Sequence, residues 1–391
     1  MALSKAFAQA GAVCLRGVAG LCWRSNGAAA QRGGEMQGRA WPGVLVLGTW
    51  LMLGVGPGWA QGAKPPPLDA PVLPAPAPAA SVLGQTRPPP PPAAALAAPG
   101  RPGWAVDAQS GCWMWSLSPE AGETVRWSGA CPSGPASGQG SQEWNWVRDG
   151  QPRRAVCVGS FREGRKHGSA RCTFANGDSY DGEWRDGQRS GRGVYVDASG
   201  ARYEGEWRDN NPNGRGTLTY PDGGRYEGEW RDSRPSGRGI RTFANGDRYD
   251  GEWRLGLENG RGVQTYANGE RFEGEWRDGR RNGHGVRIWA NGGRYEGEWR
   301  DNLKSGRGVL TWGDGDRYEG EWRDDRRNGQ GVMTYADGNR YEGNWRDDRP
   351  DGYGEYFHSQ NGWFRGQWRG GCFRREDGTL ASLNRAAAEC R

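Results

Sequence analysis

The chain has 391 residues, of which 69 are glycine and 22 are tryptophan, whereas only 35% are hydrophobic. Aliphatic side chains are therefore too scarce for a thick core, and any core must be thin and aromatic. The net charge of +6 lies within residues 1–103, and residues 104–391 carry equal numbers of basic and acidic side chains, which argues against a nucleic-acid partner.

The N-terminal region contains an apolar run at Val44–Val55, with a basic residue before it and small residues after it. This pattern is typical of a secretory signal sequence, and we expect cleavage after Ala60. Because a long stretch before the apolar run is unusual for such a signal, we expect translation to start at Met36. The run is short for a membrane span, so residues 1–60 are interpreted as a signal or targeting segment.

Two alternatives for this segment stay open. Residues 1–39 contain arginines and one acidic residue, which also suits an organelle transit peptide, and residues 44–60 could act as an uncleaved membrane anchor. Residues 61–103 are nearly all proline and alanine and include the run Arg87–Pro92. They are predicted to be a disordered, extended polyproline linker.

Aromatic residues recur every 23 residues in the rest of the chain. A tyrosine or phenylalanine stands at Tyr180, Tyr203, Tyr226, Tyr249, Phe272, Tyr295, Tyr318, Tyr341 and Phe364. A tryptophan stands at Trp184, Trp207, Trp230, Trp253, Trp276, Trp299, Trp322, Trp345 and Trp368. Between them glycine alternates with charged residues, which is the period-two pattern of a strand with two different faces.

The second half of each unit predicts the return strand of a hairpin. After a polar turn, a pair of glycines such as Gly306 and Gly308 opens this strand, and an Asn-Gly or Asp-Gly dipeptide closes the unit. Such dipeptides supply the positive φ angles of a tight turn. We expect Trp299 to lie opposite Gly308 and Tyr295 opposite Trp312, so that glycine leaves room for the indole.

The Tyr-Glu-Gly-Glu-Trp run, the Gly-x-Gly pair and the closing turn, in 23-residue steps, resemble the repeats of the MORN family (membrane occupation and recognition nexus). The resemblance is strong over 180–368 and weaker over 127–179. We therefore predict an all-β, elongated, single-layer antiparallel sheet or solenoid of hairpin repeats over 157–369. Residues 104–156, with a degenerate repeat, and 370–391, with a short helix around Leu380–Glu389, are expected to cap its ends.

Six cysteines lie beyond the signal segment, an even number that indicates disulfides in an exported protein. The pairs expected from proximity in sequence are Cys112 with Cys131, Cys157 with Cys172, and Cys372 with Cys390. The expected register places Cys157 and Cys172 on a diagonal, which makes that pair the least secure. No Cys-x-x-Cys spacing occurs, so a zinc or redox site is not supported.

The sequence offers little for catalysis. The three histidines occupy different repeat positions, at His167, His284 and His358. No nucleophile-elbow, zinc-protease, phosphate-loop or calcium-loop motif is present in the sequence. Glu296 and Glu298 recur in every repeat, which indicates a solvated ladder beside Arg300 and Arg317 and not a poised acid and base. We therefore predict no catalytic residue, metal or cofactor.

The aromatic stripe admits two interpretations. It forms the core, which is favoured because the sheet has little else that is apolar to bury, or part of it stays open as a groove for a peptide, glycan or lipid. The candidate binding face comprises Tyr226, Trp230, Tyr249, Trp253, Phe272, Trp276, Tyr295 and Trp299.

Together these features predict a non-enzymatic binding or scaffolding protein, periplasmic or secreted, whose aromatic-lined face meets a protein, peptide or glycan partner of the cell envelope. Two alternatives are implied by the resemblance: a module that binds membrane phospholipid, and an accessory subunit of an enzyme. An open terminal edge of the sheet also offers a route to self-association.

Overall fold

The computed structural model describes residues 12–14, 22–24, 90–374, 380–383 and 390. The chain divides into two units, one of residues 26–86 and one of residues 1–25 with 87–391. The whole of the first unit lies outside the described residues, as do the expected start at Met36, the apolar run and the cleavage site. Most of the predicted linker lies outside them as well.

The described part is built almost entirely of β-strands. The strands are β1 Ala12–Cys14, β2 Cys22–Arg24, β3 Gly103–Val106, β4 Trp113–Ser116, β5 Thr124–Trp127, β6 Gly138–Arg148, β7 Gln151–Arg162, β8 Arg165–Thr173, β9 Ser179–Arg185, β10 Gln188–Val196, β11 Arg202–Arg208, β12 Asn211–Thr219, β13 Arg225–Arg231, β14 Arg234–Thr242, β15 Arg248–Arg254, β16 Leu257–Thr265, β17 Arg271–Arg277, β18 Arg280–Ile288, β19 Arg294–Arg300, β20 Leu303–Thr311, β21 Arg317–Arg323, β22 Arg326–Thr334, β23 Arg340–Arg346, β24 Arg349–His358, β25 Gly362–Arg369, β26 Cys372–Arg374 and β27 Leu380–Ser382. Among the described residues, the single helical element is a 3-10 turn at Ala93–Ala95. None of the helices in that part could cross a bilayer.

The strand pairing follows the order of the chain. β1 pairs with β2 and β3 with β4, while every strand from β5 to β27 is antiparallel to its neighbours in sequence. One strand pair per 23 residues therefore adds directly to the pair before it. The predicted all-β fold, an antiparallel sheet of hairpin repeats, is confirmed.

The turn inside each hairpin is shorter than the sequence suggested. In the repeat that begins at Tyr295, Arg300 pairs with Leu303, so Asp301 and Asn302 alone form the turn, with φ angles of 48° and 73°. These left-handed angles are those of a two-residue hairpin turn whose twist matches the strands. The polar residues after Asn302 therefore belong to the return strand.

The expected register was wrong for this reason. Trp299 pairs with Lys304 and not with Gly308, which faces Gly297. A bulge in β20 separates the two pairs and contains Gly306, whose φ is 57°. Bulges of this kind recur in the other repeats and increase the local twist of the strand.

The tyrosine register shifts for the same reason. Tyr295 pairs with Leu310, not with Trp312. The tyrosine ring, and not the indole, lies across the facing glycines. A Cβ added at Gly308 would come within 2.3 Å of the Tyr295 hydroxyl. Glycine at this position is therefore required for close approach of the ring.

The core is a row of rings along one face of the sheet. Tyr226 contacts Trp230 of its own repeat and Trp253 of the next, with ring centroids 5.2 and 5.1 Å apart and the rings nearly perpendicular. The same edge-to-face contacts repeat from Trp184 to Trp368. Such pairs stabilise beyond the area they bury, so the rings link each repeat to the next.

Disulfides join Cys112 to Cys131, Cys157 to Cys172 and Cys372 to Cys390. The expected diagonal was wrong for the middle pair, because Cys157 and Cys172 face each other directly across β7 and β8. Cys157 occupies the tyrosine position of the first repeat. The disulfide therefore replaces the ring contact that later repeats make there.

Both ends of the row of rings are covered by aromatic residues. Near the first repeat, Trp127 meets Phe161 at 4.8 Å, and at the last repeat Phe373 stacks on Trp368 at 5.2 Å. The predicted C-terminal helix was wrong at its start, since Leu380–Ser382 pairs with β26 as a strand. Residues 384–389 lie outside the described residues.

Candidate binding surfaces

The polar atoms of the aromatic face are bonded within the sheet. The Tyr226 hydroxyl donates to the carbonyl oxygen of Glu229 at 3.0 Å, and the Trp230 Nε1 donates to the carbonyl oxygen of Gly216 at 3.1 Å. Burial raises the pKa of the Tyr226 hydroxyl well above its usual range. Equivalent bonds recur along the array, so these groups are not left free for a ligand.

A second set of side chains covers the rings. We call it the cover row: Lys166, Arg189, Pro212, Pro235, Glu258, Arg281, Lys304, Arg327 and Pro350. Its cations lie over the tryptophan of the following repeat, as Arg281 does over Trp299 at 4.6 Å and Lys304 over Trp322 at 4.5 Å. Arg281 also donates to the carbonyl oxygen of Asn302 in the next turn at 3.2 Å. These cation–π contacts exclude water from a sheet that has no second layer.

The predicted aromatic binding face is corrected by this arrangement. Its members are Tyr226, Trp230, Tyr249, Trp253, Phe272, Trp276, Tyr295 and Trp299, and all eight are buried. The most exposed of them, Trp276, retains 8% of its accessible surface. The rings form the core, and the cover row, which the sequence reasoning missed, closes the groove that an uncovered sheet would present.

The opposite face carries the charged residues, because side chains alternate along each strand. Glu296 pairs with Arg294 at 2.7 Å, and Glu298 accepts a hydrogen bond from the backbone N–H of Arg307 at 3.2 Å. Arg317, which the sequence placed beside this ladder, is the equivalent of Arg294 in the next repeat and pairs with Glu319 at 2.7 Å. The second glutamate of each repeat fixes the bulge, since the same bond to the residue between the two glycines recurs along the array.

A shallow, open groove crosses this charged face, and we call it the polar groove. Its two stretches have volumes of about 550 and 440 Å³ and share Arg215. The floor is backbone of the glycine pairs, such as Gly216 and Gly228. One side carries half-buried β-branched residues such as Thr217 and Ile240, and the other carries the arginine of each Gly-Arg-Gly run. Acidic residues such as Glu227 and Glu229 line it as well, so the groove combines apolar contact with charges of both signs.

The arginines of the groove differ from the others on this face. Arg192, Arg215, Arg238 and Arg261 are exposed. Each stands opposite a glutamate in the ladder, but for Arg192, Arg215 and Arg238 that glutamate accepts a backbone N–H in the next strand. Within residues 90–374 the four guanidinium groups have neither an ion pair nor a hydrogen bond, whereas the arginines before each tyrosine are paired with glutamate or aspartate. A recurring Gly-Arg-Gly was the signal available in the sequence.

The structure assembles no catalytic or metal-binding cluster in the part of the chain that it describes. No three histidine, cysteine or acidic side chains there are grouped to hold a metal ion. The three histidines remain apart, and His167 contacts Asp186 at 3.2 Å on the surface.

The model of the MORN repeat matches nine consecutive segments of the chain between residues 157 and 361, just over half of its length. The chain therefore belongs to the MORN repeat family. Repeats of this family are generally binding or scaffold modules and not enzymes, which gives this chain a repeat-based binding or scaffold role. Its disulfides indicate an oxidising environment. No curated protein matches the chain.

Solved structures share local features with the chain. The TCP domain of SAS-4 (dCPAP) of Drosophila melanogaster, in complex with a proline-rich motif of Ana2 (dSTIL), is 12% identical, with 45% of this chain and 90% of that one covered at a TM-score of 0.27. A mutant TCP10 domain of Danio rerio CPAP is also 12% identical, with 58% and 95% covered at 0.26. Streptogramin B lyase is 13% identical, with 66% and 93% covered at 0.14. At such TM-scores none of the three informs function.

Proposed function

We propose that the array is a non-enzymatic scaffold that holds an extended segment of a partner protein in the polar groove. The observation that carries the proposal is the row of exposed arginines beside a glycine floor. Cations without partners favour an acidic ligand, and the half-buried Thr217 and Ile240 offer apolar contact beside them. A protein, peptide or glycan partner on the eight candidate rings is not supported, because those rings are buried.

The compartment is part of the same proposal. Three disulfides persist in an oxidising environment, which suits the periplasm or the outside of the cell. The apolar run before Ala60 is the expected export signal. A phospholipid surface is less favoured as the ligand, because residues 104–391 have no net charge to attract an anionic bilayer.

Site-specific photocrosslinking in the native envelope tests the proposal. A crosslinking side chain replaces Arg215 or Arg238 in the full chain, and the matched control replaces Glu258 in the cover row on the other face. We expect both groove positions to crosslink to a protein and the control to give no such product. Crosslinking from the control alone, or from neither groove position, would contradict binding in the groove.

A further inference from the structure

We propose that the polar groove selects an extended acidic peptide whose carboxylates recur at every third residue. This specificity rests on the proposed function and adds the chemical pattern of the ligand. It follows from three features of the groove: the free guanidinium groups, their spacing, and the glutamates between them.

The first feature is a set of cations with unused donors. In Arg215 the backbone N–H is bonded to Glu206 at 3.0 Å, and in Arg238 it is bonded to Glu229 at 3.0 Å. The guanidinium groups of both residues have no partner among the described residues and border the groove. A guanidinium group forms two parallel hydrogen bonds with a carboxylate, which makes it selective for that group.

The second feature is the spacing. Arg192, Arg215, Arg238 and Arg261 occupy the same place in successive repeats, and each repeat contributes one pair of strands. Strands lie about 4.8 Å apart, so neighbouring arginines are about 9.6 Å apart along the array. A peptide in the polyproline II conformation advances about 9.3 Å over three residues, which is one full turn, so every third side chain points to the same side. A carboxylate at every third residue therefore meets a new arginine.

The third feature sets the register. Glu227 and Glu229 line the same stretch of groove as Arg215 and Arg238. An acidic side chain placed out of step faces Glu229, the cross-strand neighbour of Arg215, and is repelled, whereas one in step meets a guanidinium group. Repulsion of the wrong pattern is as effective for specificity as attraction of the right one.

The row of free arginines ends within the array, which limits the site. The next repeat has His284 at this position, and the later ones have Arg307, Gln330 and Tyr353, so Arg307 is separated from the four consecutive arginines. The side-chain amide of Gln330 donates a hydrogen bond to the Oδ1 of its cross-strand partner Asn344 at 2.8 Å. Unlike Arg215, this pair has no charge, and its donor is already used. Four consecutive arginines thus define a ligand of about ten to twelve residues.

The experiment compares synthetic peptides on the full chain. Fluorescent peptides of about twelve residues carry aspartate at every third position, or the same residues in shuffled order, and affinity is measured by anisotropy at low and high salt. We expect the periodic peptide to bind at least about tenfold more tightly, and salt to weaken it. The double variant Arg215→Gln/Arg238→Gln is expected to lose that advantage.

The matched control removes the same charge elsewhere. Arg280 and Arg326 are already paired with Asp301 and Asp347 outside the groove, so Arg280→Gln/Arg326→Gln is expected to bind both peptides like the native chain. As a further comparison, binding to vesicles of phosphatidylcholine is measured with and without phosphatidylglycerol.

The outcomes separate the two proposals. Equal binding of periodic and shuffled peptides, lost in Arg215→Gln/Arg238→Gln, overturns the three-residue pattern and leaves the groove as a binding site. Binding that is indifferent to both arginines overturns the groove as well. Binding to anionic vesicles that needs Arg215 and Arg238, without binding of any peptide, replaces the peptide by a lipid surface.

Discussion

The two faces of the sheet use the same strands for opposite purposes. On the aromatic face, every repeat from Tyr180 to Trp345 places the same rings in the same contacts and covers them. On the polar face, the residue between the glycines changes from arginine to His284, Gln330 or Tyr353 along the array. The stabilising contacts of the aromatic face are thus the same in each repeat and add up along the array, while the polar face varies in sequence. Repeat arrays in general show this additive stability.

The largest contrast between the faces is expected on truncation of a central ring. Trp253→Ala removes a buried indole that contacts Tyr226 and Tyr249 and donates to Gly239, so we expect a loss of about 3–5 kcal/mol. Arg238→Ala on the polar face is expected to change stability by less than about 0.5 kcal/mol. Chemical denaturation of the two full-length variants measures both values, and equal losses would remove the division between the faces.

A smaller effect tests why glycine lies under the tyrosine. A Cβ at Gly239 would come within 2.3 Å of the Tyr226 hydroxyl, so Gly239→Ala is expected to cost about 1–3 kcal/mol. The first repeat supports this reason, because Ala170 takes the equivalent place where Cys157 replaces the tyrosine.

The matched test of the glycine is a double-mutant cycle with Tyr226→Ala. Once the ring is gone, Gly239→Ala is expected to cost little, which appears as coupling between the two positions. Additive losses at the two sites would show that glycine is needed there for its backbone and not for the ring.

The smallest effect concerns the one acidic member of the cover row. Burial raises the pKa of the Glu258 carboxyl, although Arg241 opposes the shift. The folded chain therefore holds this proton more tightly than the unfolded chain, and stability falls as the pH rises through the raised pKa. Glu258→Gln is expected to be more stable than the native chain at neutral pH by about 1 kcal/mol.

Thermal unfolding across pH checks this sign. The advantage of Glu258→Gln should vanish on acidification below the ordinary carboxyl range, where both chains carry a neutral side chain. Glu227→Gln on the polar face, where Arg225 pairs with the carboxylate at 2.8 Å, serves as the exposed control. An advantage that persists unchanged in acid would rule out titration of Glu258 as its cause.

The amino-acid sequence by itself determined the repeat, the all-β fold and the family, because alternation along a strand and the 23-residue step are local properties of the chain. Proximity in sequence also predicted the three disulfide pairs. The turn at Asp301 and Asn302 was misjudged, since polar residues suit both a turn and the exposed start of a strand.

Only the tertiary structure showed which face is covered and which is exposed. Arg281 covers Trp299, which belongs to the following repeat. Glu229 lies opposite Arg215 in the sheet but accepts a hydrogen bond from the backbone N–H of Arg238. Both contacts join residues whose proximity depends on how successive hairpins twist and stack. For that reason the rings that the sequence offered as a binding surface are buried, and the exposed arginines of the Gly-Arg-Gly runs were not singled out from the sequence.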